Sequence, residues 1–104
     1  MRYIKLGAVR AFQRVAPDKA QALKVLEEAA EVVEALKNLL CASGDVNYNP
    51  RMERRDLLDE IADCIQACCN LAAALGVTDM TPYLARCEER NRKRGRYDKE
   101  QQCK

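Results

Sequence analysis

Two short acidic runs hold the residues best suited to chemistry: Glu27-Glu28-Ala29-Ala30-Glu31 and Glu60-Ile61-Ala62-Asp63. Helical residues three apart share a face, so Glu28 falls with Glu31 and Glu60 with Asp63. If the two helices pack antiparallel, these four carboxylates converge. Like charges at the wall of a helical core cost stability unless cations neutralise them or protons bind. A divalent metal answers that repulsion. The chain has no His, so a di-iron centre on Glu-x-x-His helices cannot be assembled. An all-oxygen ligand set suits Mg²⁺, with Mn²⁺ as the alternative. Mg²⁺ keeps several waters and bridges to phosphate, so the expected substrate is phosphorylated.

The elements that must position these groups read as helices. Ile4, Ala8, Ala11, Phe12 and Val15 recur near helical spacing and predict a short first helix over residues 3–15. Ala16-Pro17 ends it, because proline disfavours the helical conformation in the residue before it. Asp18 with Gln21 three residues on forms a capping box and starts a long helix from 19 to about 42. Ser43-Gly44-Asp45 breaks that helix, and the polar stretch to Asn49 is a loop. Asn49-Pro50 starts the third helix, which runs to Leu75 and stops at Gly76. Its second half is apolar on nearly every face and predicts a central, buried helix. Thr78 or Asp79 caps the last helix, Pro82 is tolerated in its first turn, and Gly95 ends it.

The expected architecture is therefore all-α, an antiparallel four-helix arrangement completed by oligomerisation. It is one domain over residues 1–104, with an N-terminal helix at 1–16 and a frayed tail at 96–104. Hydrophobic residues make up 48% and charged ones 33%, the balance of a folded chain. With four Tyr, one Phe and no Trp, the core must be built from aliphatic side chains and Cys. That palette suits helices better than sheets. The third helix has more apolar circumference than three neighbours can cover, so a homodimer or homotetramer is expected.

Charge and cysteine usage exclude several classes. A net charge of +2 gives no general nucleic-acid affinity, although the segment from Arg86 to Arg96 is basic. Six Cys without a Cys-x-x-Cys pair and without His make zinc a poor fit. They read as reduced, buried thiols in a cytoplasmic protein. No long apolar run suggests a signal peptide or a membrane span.

Each acidic run has a plain structural reading as well. Lys24, Glu27, Glu28, Glu31, Glu34 and Asn38 share one side of their helix, opposite Val25, Leu26, Ala29, Val32, Val33, Leu36 and Leu40. A solvated face looks the same. Glu60 is harder to dismiss, because at 100° per residue it falls in line with Leu57, Cys64, Ala67 and Leu71. No Lys or Arg is at hand on that line to pair with it. Asn70, seven residues past Asp63, brings an amide to the same edge or merely satisfies backbone in the core.

Glu-Glu-x-x-Glu, a gap, then Glu-x-x-Asp followed by a mostly apolar helix resembles the MazG-like, all-α nucleoside triphosphate pyrophosphohydrolases. The similarity covers about residues 20–97, taking in Lys24-Val25-Leu26 before the first run and Arg90-Asn91-Arg92-Lys93-Arg94 closing the last helix. The gap of 28 residues between Glu31 and Glu60 is long for the family. The resemblance implies that Glu28, Glu31, Glu60 and Asp63 hold Mg²⁺, with Glu27 beside them. It implies that Asn91 and the basic residues after it, Arg92 and Arg94 among them, approach the triphosphate or sugar. With Lys24 and Asn70 these make up the expected substrate-binding set. The position four residues after Asp63, often aromatic in the family, is Ala67 here.

The expected reaction is hydrolysis of a nucleoside triphosphate between the α and β phosphates, with Glu28 or Glu31 accepting the proton of the attacking water. The rival reading is a non-enzymatic helical interaction or regulatory module. In it the acidic faces are solvated and the basic end of the last helix binds a partner or nucleic acid.

Overall fold

The computed structural model describes residues 2–43 and 51–97, and among them every regular element is an α-helix. Helix α1 spans Lys19–Ser43, α2 spans Arg51–Ala74 and α3 spans Thr81–Lys93. The expected loop and the Asn49-Pro50 helix start lie outside the described residues, as do residues 98–104 with Cys103.

Local signals set these ends. Asp18 Oδ1 accepts the Gln21 N–H at 2.9 Å, which satisfies one of the free donors at the start of α1. Gly76 follows α2 at φ +85°, a left-handed conformation that costs glycine little and an L side chain about 1 kcal/mol or more. At α3, Asp79 Oδ1 accepts the Thr81 N–H at 2.9 Å, and Pro82 sits in the first turn where its missing N–H does no harm. Hydrogen bonds from Thr81 hold the Asp79 carboxyl below the usual carboxylate range.

The chain divides into two compact units, one from Ala8 to Gly76 and one made of the residues up to Gly7 with those from Val77 onward. The first is an antiparallel hairpin of α1 and α2 with the preceding segment laid on it. Its packed line runs along α1 through Val25, Glu28, Val32, Ala35 and Leu39, and along α2 through Leu57, Glu60, Cys64, Ala67 and Leu71. Leu39 is the most enclosed, at 2% exposure, and burying it contributes about 1.5–3 kcal/mol. Ala35 and Ala67 are also buried, and such small side chains allow the helix axes to approach.

Four expectations are corrected here. Residues 2–16 form no helix, so the four-helix arrangement reduces to three helices among the described residues. Gly7 takes φ +76° inside the expected helix, and the backbone beyond it bonds to side chains of α2. Phe12 N–H donates to Asn70 Oδ1 at 3.0 Å and Gln66 Nε2 donates to the Arg10 carbonyl at 3.0 Å, which takes both groups out of any helical ladder. Second, the packed stripe of α1 is turned by one residue from the expected one. Glu28 lies half-buried on it, whereas Leu26, Val33 and Leu40 are 65%, 57% and 41% exposed. Third, α2 is not enclosed by the hairpin, since Leu58 and Ile61 are exposed. Fourth, the five described cysteines are free thiols as expected, but Cys41, Cys68 and Cys87 are exposed and not buried.

Candidate metal centre

Antiparallel packing brings the two acidic runs together midway along the hairpin. Glu28 from α1 and Glu60 and Asp63 from α2 each offer one carboxylate oxygen, all within 4.8 Å of one another. Glu28 and Glu60 are half-buried and Asp63 is exposed, so the trio is open to solvent on one side. Glu31, the fourth expected ligand, is exposed and stands beside Glu60 outside the trio.

The electrostatics record the crowding. Burial, then the Glu31 and Asp63 charges, push the Glu28 carboxyl above the usual glutamate range, and Lys24 opposes this only in part. Burial pushes Glu60 up too, followed by the neighbouring Glu31 carboxyl, which can share a proton with it, and by Asp63 and Glu28. With Glu60 ionised no donor serves its Oε1, which is closed to water and has no hydrogen-bond partner. An ionised oxygen in that state carries an uncompensated desolvation cost, which a proton or a cation removes. Three clustered carboxylates are a hard donor set, fitted to Mg²⁺ or Mn²⁺.

Next to the trio lies an open groove of about 580 Å³, walled by Glu31, Glu34 and Asn38 of α1 and by Met52, Glu53, Asp56 and Asp59 of α2, with Ala35 and Glu60 also lining it. The acidic surface is thus longer than the two runs. The signal for it was Asp56, Asp59 and Asp63 recurring at three and four residues on one side of α2.

The expected substrate-binding residues are dispersed. Lys24 is one turn before Glu28 and pairs with Glu27 at 3.1 Å, an exposed contact that raises its pKa. Asn70 is 3% exposed, and its Oδ1 accepts from both Phe12 N–H and Gln66 Nε2, so it straps the N-terminal segment to α2. Asn91, Arg92 and Arg94 belong to the second unit. There Arg92 pairs with Glu89 and, at 3.1 Å, with Glu88 of its own helix. Asn91 Nδ2 lies 3.6 Å from Cys87 Sγ, and Arg94 caps α3 through its N–H to the Arg90 carbonyl.

No protein-family model, curated protein or solved structure matches the chain. Among the described residues no helix is long and apolar enough to cross a membrane.

Proposed function

We propose that the protein is a Mg²⁺-dependent nucleoside triphosphate pyrophosphohydrolase, taking an NTP or dNTP to the monophosphate and pyrophosphate. The observation that carries this reading is the convergence of Glu28, Glu60 and Asp63, of which Glu60 has a buried carboxylate oxygen without a hydrogen-bond partner. The resemblance supplies the reaction class. The protein acts in this reading as a cytoplasmic homodimer or homotetramer.

Glu28, Glu60 and Asp63 would hold the cation, Mg²⁺ or in its place Mn²⁺, which would supply charge neutralisation at phosphate and a more acidic water. Glu31 neighbours Glu60 outside the trio, and in this reading it takes the water's proton as the water oxygen attacks the α-phosphorus. The bond from that phosphorus to the bridging oxygen breaks, and pyrophosphate leaves. Lys24 supplies positive charge next to the carboxylates. The parts assigned to Asn91, Arg92 and Arg94 rest on the resemblance alone.

A pyrophosphate-release screen over the common NTPs and dNTPs, with and without Mg²⁺, tests the reading. It expects release that needs both metal and nucleotide. Silence across the whole panel overturns it in favour of a non-enzymatic helical module.

A further inference from the structure

The side of the hairpin turned away from the acidic groove carries a second apolar surface. On α1 the residues one position past the packed line include Leu26, Val33 and Leu40, which are 65%, 57% and 41% exposed, with Ala29 and Leu36 half-buried between them. On α2 and the residue just after it the same step gives Leu58, Ile61, Cys68 and Leu75, all exposed, with Ile65 and Ala72 half-buried. One residue is a turn of 100° about each axis, and in an antiparallel pair the same turn leads to the same side of both helices. The two stripes therefore form one surface. Stepping back one residue instead leads to Glu31 and Glu34 on α1 and to Asp56, Asp59 and Asp63 on α2, the acidic side.

We infer that this apolar surface docks against the same surface of a second copy, so that two hairpins form a four-helix core with an acidic groove facing outward on each side. Both stripes repeat at alternating steps of three and four residues, the spacing by which helices interlock side chains along a seam. The surface runs from Leu58 to Leu75, about 25 Å at 1.5 Å per residue, across two helices each about 10 Å wide. That is roughly 500 Å² per copy and on the order of 1,000 Å² for the pair, at the lower bound for a specific interface. A segment of the same chain is a poorer match. The apolar positions at the start of α3, from Met80 at its N-cap through Tyr83 and Leu84 to Cys87, span only about 11 Å before the run Glu88-Glu89-Arg90. A like surface also meets no charge at its centre, since Lys37 at the rim of α1 is paired with Glu34.

This gives the oligomer its interface, and it keeps each trio of carboxylates within one chain. Its test reads mass and thiol access and no hydrolysis, so it stands or falls apart from the proposed reaction. Sedimentation of the full chain at micromolar concentration, together with maleimide labelling of each cysteine read by peptide mass, is run on the parent protein, Val33→Glu and Leu58→Glu. Asp56→Asn, on the acidic side, is the control. The parent is expected to sediment as two or four chains of 11.8 kDa with Cys68 protected. Each Glu variant is expected to keep its helical circular dichroism, to associate at least about 100-fold more weakly and to label faster at Cys68. Should one variant lose its helicity, the other decides. A parent that sediments as a monomer overturns the inference. So does an oligomer whose mass and Cys68 labelling ignore both substitutions, or one that Asp56→Asn dissociates equally well.

Discussion

Glu60 is the residue on which charge, burial and packing meet. It occupies a position on α2 that faces α1, in line with the buried Ala67, and a carboxylate there adds nothing to packing that an apolar side chain would not add better. Glu60→Gln removes one charge from the crowded trio, so the metal-free variant is expected to melt at or above the parent temperature. It is also expected to lose Mg²⁺-dependent turnover; full activity would remove Glu60 from the site. Glu31→Gln should fold normally and lose roughly 10²–10⁴-fold in turnover while still gaining stability from Mg²⁺, the pattern of a proton acceptor and not of a ligand. The raised pKa values of Glu28 and Glu60 fix the sign of the pH response. A carboxyl whose native pKa lies above its unfolded value of about 4.5 holds its proton more tightly when folded. Its contribution to stability is complete below 4.5 and is lost as pH rises through the native value. Metal-free protein should therefore gain stability from these two groups on acidification toward pH 4.5, and Mg²⁺ should stabilise best above that window, where protons no longer compete. Melting curves with and without Mg²⁺ across that window check both signs.

Helix ends and the acidic pair were legible in the sequence because their causes are local. Asp18, Asp79, Pro82, Gly76 and Gly95 act within a few residues, and the structure places the three long helices where those residues put them. The apolar periodicity of residues 4–15 does not yield a helix because the segment's fate is decided 58 residues away, where Asn70 captures the Phe12 N–H. Glu28 was misplaced on α1 for a related reason. Both Glu28 and Leu26 flank Val25 and Leu36 on a helical wheel, and only the approach of α2 decides which of them turns inward. The convergence of Glu28, Glu60 and Asp63 was legible all the same, without Glu31, since a spacing of three constrains Glu60 and Asp63 whatever the rotation. The strap itself is testable. Asn70→Ala leaves the Phe12 N–H without its acceptor and Gln66 Nε2 with one fewer, at a cost of about 1–3 kcal/mol. Hydrogen exchange should speed up at Phe12 while α1 around the buried Leu39 keeps its protection. Unchanged exchange at Phe12 would mean that the strap does not depend on this bond.

At the scale of the whole molecule the difficulty is how little the described hairpin encloses. Ala35, Leu39 and Ala67 are its only fully buried apolar residues, and a small domain with so thin a core is marginal unless a ligand or a partner adds to it. The proposed cation and the proposed second copy would each add to it, on opposite sides of the hairpin. On the acidic side, Mg²⁺ at ten times its dissociation constant stabilises the folded chain by about 1.4 kcal/mol, a rise of several degrees in melting temperature. On the apolar side, a second copy acts by the same mass action with protein concentration as the variable. When two folded chains melt together to two unfolded ones, each tenfold rise in concentration favours the folded dimer by about 1.4 kcal/mol, so the melting temperature climbs by a few degrees. The two effects should be additive, because the carboxylate trio and the apolar stripes share no residue. Melting followed by circular dichroism over two decades of protein concentration separates them. Parent protein is expected to show the concentration slope with or without Mg²⁺. Val33→Glu is expected to lose the slope and to keep the upward shift on adding Mg²⁺, since Val33 points away from the groove. A parent protein whose melting temperature ignores its own concentration would mean that the hairpin reaches its stability alone. A Val33→Glu variant that no longer responds to Mg²⁺ would mean that the metal centre needs the partner chain after all.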